Sequence, residues 1–464
     1  MSQTHAVFTT GGLMGHVTRM SFTASIGLMA IFAVDLVDMI FISMLGNAAL
    51  AAAVGYAGTI LFFTNAVSIG LSIAAGTLVA RALGAENAAE ARRRATSVAS
   101  FAALIGVIVP ALILLFLDEC LALLGARGEV VPLARSYLVI ILPTAALMGV
   151  GMTAMAVLRA HGDARRSMYA TLFGGIVNAI LDPIFIFAMS WGLEGAAMAS
   201  VAARIVMLSV ALWPAIRIHD AFARPSPRHI VQDAGVVTSL AGPAMLANVA
   251  TPVGTAIVMR EMATYGTDAV AGIAIIGRLV PVAFSVVLAL SGAIGPIIGQ
   301  NFGANLPARV QEAFIAALKF TLVYVVIVSA ILFATRGLIA DAFGAIGEDR
   351  TLLFLFCGPI ALTFVFNGAI FVSNASFNNL GKPLYSTYVN WATNTLGIWP
   401  FVLVGSALMG AEGILIGRAL GTAVFGILAT VLALRLTRDT TPTPEPTPAV
   451  FAQRAHTVHV QRGH

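Results

Sequence analysis

The sequence predicts an all-α membrane protein, with twelve transmembrane helices in two six-helix lobes related by a pseudo-two-fold axis along the membrane normal. Three observations carry this. Of 464 residues, 59% are hydrophobic and only 10% charged, with a mean hydropathy of +0.94; soluble domains carry about a quarter charged residues. Apolar runs of about 20 residues, long enough to cross a bilayer, recur twelve times. The last six of these repeat the first six at a nearly constant offset.

The runs fall near 20–44, 49–79, 96–117, 131–157, 168–190 and 195–216. After a polar interval they resume near 237–259, 269–299, 313–334, 352–373, 386–408 and 413–434. The interval from Arg217 to Val236 contains Arg-Pro-Ser-Pro-Arg and reads as the one interior linker. The expected organisation is a cytoplasmic segment (1–16), an N-lobe (17–218), a linker (219–235), a C-lobe (236–436) and a tail (437–464). That tail, with its Thr-Pro-Thr-Pro-Glu-Pro-Thr-Pro run, is expected to be disordered.

Basic residues set the expected orientation. With the N-terminus inside, the cytoplasmic loops receive Arg81, Arg92, Arg93, Arg94, Arg159, Arg165, Arg166 and their later counterparts, fifteen in all against five on the other side. Basic loops stay in the cytoplasm, so both termini are expected there. The net charge of +5 is thereby accounted for by membrane topology and does not point to nucleic acid. Cys120 and Cys357 lie in unrelated segments, which argues against a disulfide framework or a metal cluster. No short apolar core with a small-residue cleavage site precedes the first run, so no cleaved signal peptide is expected.

At an offset of 219, Leu71, Ser72, Ala74, Gly76, Gly84 and Ala85 meet Leu290, Ser291, Ala293, Gly295, Gly303 and Ala304. The same offset pairs Ala156 with Ala375, Gly162 with Gly381 and Tyr169 with Tyr388; a slip to 218 pairs Glu194-Gly195 with Glu412-Gly413. An even number of spans per half makes the repeat parallel, and such halves rock about a cavity between them.

Among the 21 acidic residues only Asp35, Asp38 and Asp182 lie well inside apolar runs, all in the first half. A carboxylate at membrane depth is costly and marks a functional site by default. Asn178 precedes Asp182 by one turn on the same helix face. Pro183 removes an N–H and so frees a carbonyl one turn back. Asp35 and Asp38, three residues apart, share one face of the first span. If that face meets the fifth span, crowded carboxylates in low dielectric will share protons or a hard cation. The second-half counterparts are apolar: Ile257 or Val258 for Asp38, and Phe401 or Val402 for Asp182. Ion chemistry is therefore expected in the N-lobe alone. Tyr137 and Asn390 are candidates to line a cavity; Arg204, Arg278 and Arg418 read as structural, and Glu261 as a surface partner of Arg260.

Six segments together resemble the multidrug and toxic compound extrusion (MATE) transporters. They are Val37 to Gly46, Gly76 to Ala85, Leu158-Arg-Ala-His-Gly-Asp163, Asn178 to Pro183, Pro296 to Ala304, and Leu380-Gly-Lys-Pro383. The resemblance covers about residues 17–436, and the lack of acids in the eighth and tenth spans is similar to the DinF-like branch. It implies two lobes around a V-shaped cavity and efflux of amphipathic, often cationic compounds, drugs or metabolites, in exchange for H+ or Na+. It also implies a cation site at Asp38, Asn178, Asp182 and Ser200, a cavity role for Tyr137, and no cofactor beyond the coupling ion. Asp35 departs from the family pattern. A monomer in the bacterial inner membrane is expected. Export of a metabolite, or flipping of a lipid-linked precursor, is the alternative; a flippase would be expected to show a strongly basic cavity for a diphosphate. An enzyme is not expected, because no His/Glu metal pair, Ser nucleophile elbow or Cys site lies at membrane depth.

Overall fold

The computed structural model describes residues 6–45 and 48–438; the expected tail beyond Arg438 lies outside the described residues. Those residues form helices joined by short turns, with no strand among them. In the first half, α1 is Leu13–Met44, α2 Ala48–Gly84, α3 Ala88–Leu115 and α4 Leu117–Leu123. They are followed by α5 (Val130–Ile141), α6 (Ala145–Ala160), α7 (Ala164–Pro183) and α8 (Gly192–Arg217). In the second half, α9 is Pro227–Met262, α10 Thr267–Ala283, α11 Ser285–Gly303 and α12 Pro307–Ala342. Then come α13 (Glu348–Leu355), α14 (Phe364–Asn379), α15 (Pro383–Asn394) and α16 (Trp399–Arg438).

Proline explains why some spans are two helices. The fourth span breaks at Pro143, between α5 and α6, and the tenth bends by 60° after Gly358-Pro359, between α13 and α14. Proline lacks the N–H of the helical ladder and clashes one turn back. The eighth span divides at Phe284, just after Pro281, whereas the repeat counterpart of Pro281 is Phe62 and α2 runs through unbroken. At the other extreme α16 contains two spans, because it reverses at Gly410, where φ is +64° and ψ −141°. Glycine has no Cβ to forbid that conformation. The two arms then meet backbone to backbone: a Cβ on Gly413 would lie 1.9 Å from the Gly405 carbonyl oxygen, and one on Gly417 2.2 Å from that of Phe401. Small residues at helical spacing permit this approach in a bilayer.

The interior linker is shorter than its composition suggested. Pro227 opens α9 as an N-terminal helix residue after extended Ser226, a position proline favours, so residues 227–236 are helical. They carry Asp233, buried at 2% exposure, which receives Ser97 Oγ at 2.6 Å and pairs with Arg94 at 3.2 Å and Arg93 at 3.4 Å.

The lobes join at the end that carries the arginine-rich turns, and glycines make the joint. α2 crosses α11 and α9 there, and α1 packs along α11. A Cβ on Gly84 would lie 2.0 Å from the Gln300 carbonyl oxygen, and one on Gly303 2.0 Å from that of Arg81. These are two copies of one contact, since Gly84/Gly303 and Arg81/Gln300 are both separated by 219 residues. Arg81 also donates to the carbonyls of Asn378 and Asn379 (3.0 and 3.1 Å), and Gln300 to that of Ala160 (2.8 Å). Below the seam lies the segment preceding α1. Phe8, 2% exposed, gives its N–H to Gln300 at 2.8 Å, and its carbonyl accepts from Asn301 and Arg309 at 3.1 Å. Val7 rests against Gly162 of the other lobe.

Candidate cation site and central cleft

The acid pair is assembled by α1 and α7, which run side by side. Gly27 and Gly175 make the approach possible: a Cβ on Gly27 would overlap Thr171 Oγ1 at 2.3 Å, and one on Gly175 would crowd Val34 at 3.1 Å. Asp182 is fully buried and accepts a hydrogen bond from Asn178 Nδ2 at 2.9 Å, one turn back. Asp38 comes within side-chain hydrogen-bond reach of Asp182. Two carboxyls can share such a bond only through a proton. One oxygen of each, Asp38 Oδ1 and Asp182 Oδ1, is buried without a hydrogen-bond partner. Orphan carboxylate oxygens at depth suit a proton or a hard cation, which takes oxygen ligands. Beyond Pro183 the helix widens into a π turn over Ile184–Ala188, in which Met189 N–H reaches the Ile184 carbonyl at 2.8 Å. Gly195 of α8 sits against that turn, where a Cβ would lie 2.7 Å from the Phe185 carbonyl.

The other expected residues divide. Tyr137 stands close to Ser200, Asp38, Asp182 and Arg204, so all of these share one neighbourhood. Asp35 lies near enough to Asp38 to repel it but is itself exposed. Asn390 is not part of this group: it sits half-buried on α15 and returns its amide to the Ser386 carbonyl at 2.7 Å. Arg204 keeps a structural bond, donating to the Ile141 carbonyl at 3.0 Å and to Thr144 Oγ1 at 2.8 Å, across the break between α5 and α6. That places a guanidinium beside the acid group, a role the sequence reading did not give it, although its spacing of four from Ser200 put both on one helix face. Glu261 accepts from Ser406 Oγ at 2.8 Å, and Tyr265 closes on the same serine, so its partner is across the fold and not Arg260.

The C-lobe has no copy of this site for a packing reason. The repeat counterparts of Asn178 and Asp182 are Gly397, just before α16, and Phe401, in its first arm, and both pack against its second arm, where a Cβ on Gly421 would lie 1.4 Å from the Gly397 carbonyl. Backbone fills the space that the acids occupy in the N-lobe. At the 218 offset Ser200 corresponds to Arg418, which is half-buried with no side-chain partner among the described residues.

Between the lobes, above the glycine seam, lies a cavity of about 60 Å³ lined by Ser72, Gly76, Arg159, Ser291, Gly295 and Asn378 among others. No group of three or more His, Cys, Asp or Glu side chains able to hold a metal occurs among the described residues.

A bundle of long apolar helices in two like halves, joined at one end and carrying acids at depth in one half, has the architecture of a membrane transporter. Residues 23–184 and 243–403 match the family model described as MatE, with starts 220 and ends 219 residues apart. The chain belongs to the MATE family of transporters. A FAD transporter of Shewanella oneidensis is 28% identical over 431 residues, 90% of this chain and 94% of that protein. The multidrug export protein MepA of Staphylococcus aureus is 25% identical over 382 residues, 79% and 82%. The fold matches an outward-facing multidrug resistance MATE transporter structure (TM-score 0.87, 22% identity, 95% and 99% covered) and that of Vibrio cholerae VcmN (0.86, 24%, 91% and 96%).

Proposed function

We propose that the protein is a secondary active exporter that moves small organic molecules out of the cell in exchange for H+ or Na+. The observation that carries this reading is the pair formed by half-buried Asp38 and buried Asp182, each acid with an orphan oxygen, inside one otherwise apolar lobe. The arginine-rich end faces the cytoplasm of a bacterial inner membrane, with both termini on that side. Export proceeds by alternating access about the glycine seam. A charged pair is costly to seal from water; a proton or Na+ taken up by Asp38, Asp182, Asn178 and Ser200 neutralises it. The π turn beyond Pro183 gives α7 a place to bend when the charge changes. The carrier works as a monomer, since each chain holds both lobes.

Two classes of cargo remain in view. Amphipathic, often cationic compounds fit the exposed acid Asp35 and the name of the MepA relatives. A metabolite fits the name of the FAD transporter relative. The test is cargo-driven H+ or Na+ flux in proteoliposomes. Asp38→Asn and Asp182→Asn should each reduce coupled flux to background, because an amide cannot release a proton at any working pH. Normal coupled flux in both variants would remove the assignment.

A further inference from the structure

The cavity above the seam is built around Arg159, at the end of α6. Its Nη1 donates to Ser167 Oγ at 2.9 Å, and no carboxylate pairs with it among the described residues. The remaining guanidinium edge crosses to the other lobe, where the nearest atoms to a Cβ on Gly292 would be Arg159 Nε at 3.7 Å and Cζ at 4.0 Å. Gly292 is exposed and Ser291 half-exposed, so this edge is open to water. The cavity walls are repeat partners: Ser72 with Ser291, Gly76 with Gly295, Ala156 with Ala375. The exception is Arg159, whose partner is Asn378. Asn378 accepts from Ser386 Oγ with its Oδ1 at 3.1 Å, and its Nδ2 has no protein partner among the described residues. Ser291 likewise makes no side-chain hydrogen bond there. Free donors therefore converge from both lobes: the guanidinium N–H groups, an amide and a hydroxyl. No acid lines the cavity.

The depth of the cavity says what could reach it. On α2 and α11 its residues stand two to three turns from Gly84 and Gly303, on the side away from the basic end, so it forms the floor of the cleft. A volume of about 60 Å³ accepts one group of phosphate size. Arginine presents a planar fork that matches phosphate and carboxylate oxygens. We infer that Arg159, Ser291 and Asn378 form an anion subsite at the cleft floor, which takes the phosphate of a water-soluble organic phosphate. Its use as a cargo subsite rests on the exporter reading above.

The experiment is equilibrium binding of radiolabelled inorganic pyrophosphate to the detergent-solubilised full chain. Wild type should bind it, and Arg159→Gln should bind about 10- to 100-fold more weakly, the range of a charge-assisted hydrogen-bond pair. Arg159→Lys should recover part of the affinity. Ser291→Asp leaves Arg159 and its Ser167 bond in place but puts a carboxylate in the cavity, and it should abolish binding. Unlabelled ADP should displace pyrophosphate, whereas phosphatidic acid added to the micelles should not. No binding by wild type, equal binding by Ser291→Asp, or displacement by phosphatidic acid alone would overturn the inference. Asp38→Asn separates it from the exporter reading. Arg159-dependent binding in a variant that still exports normally leaves the subsite standing and removes the coupling site. Loss of coupled export in Asp38→Asn with no pyrophosphate bound by wild type does the reverse.

Discussion

Adding one methyl group at the glycine seam should open the closed end of the transporter. In Gly303→Ala the new Cβ would lie 2.0 Å from the Arg81 carbonyl oxygen, and in Gly84→Ala 2.0 Å from that of Gln300. Carbon–oxygen contacts between close helices settle at about 3.3 to 3.6 Å. The lobes must therefore part by about 1.3 Å at the seam, and the obstacle is backbone, which cannot rotate away. Overpacking of this kind costs about 1 to 3 kcal/mol. The gain of about 1 kcal/mol in helix propensity from Gly to Ala acts in both arrangements of the lobes and cancels. The ratio of closed to open seam should fall about 5- to 150-fold. The assay is double electron–electron resonance between spin labels at Arg165, in the first turn of α7, and Lys382, just before α15, which are exposed on opposite lobes at this end. Both free cysteines, Cys120 and Cys357, are replaced by alanine. Gly84→Ala and Gly303→Ala should each gain a longer-distance population. Gly277→Ala, where a Cβ meets nothing within 4 Å, should not. Identical distributions in all three would refute the claim that the seam sets lobe closure.

Other outcomes follow from the same end of the molecule. Asp233→Ala would take the buried acid from Arg94, Arg93 and Ser97, leaving the two arginines their shared partner Glu90, and should cost about 1 to 3 kcal/mol, read as a lowered melting temperature in detergent. Phe8→Ala deletes the side chain that seats the segment before α1; it should raise hydrogen exchange at residues 6–12 while leaving the α7 amides protected. At the turn between α6 and α7, burial pushes the His161 imidazole down to about 4, against the pull of the Val157 carbonyl. Its contribution to stability is thus full above pH 6.5 and erodes as pH falls toward 4, because the unfolded chain takes the proton first; His161→Phe should remove that slope from a pH series of melting temperatures. Burial raises the neighbouring Asp163 carboxyl, but hydrogen bonds from His219 and Arg166 overcome it and hold it at about 2. Its stabilisation is therefore present above pH 3.8 and lost as pH falls through about 2; Asp163→Asn should flatten the acid end of the same series.

The twelve spans and their pairing into halves were legible because they depend on quantities the chain carries locally. Twenty apolar residues commit a segment to the bilayer wherever it sits, and a repeat offset needs no knowledge of contacts. Asp38 and Asp182 stood out for the same reason, as charges at a depth where charge is costly. Their meeting, however, belongs to the packing of α1 on α7 through Gly27 and Gly175. The tertiary structure alone decided which glycines are seams. Gly84 and Gly303 look like many of the 44 glycines until the backbones they touch are in place. It also took Arg159 out of the loop inventory, since a long side chain at a span's end can turn toward water or toward the cleft. Phe8 lay in a stretch too short and polar to register as a span, and its burial depends on Gln300, Asn301 and Arg309, almost three hundred residues away. Hydropathy is a property of each residue and its near neighbours, whereas an orphan oxygen, a closed seam or a shared cavity is a relation between segments that only folding brings together.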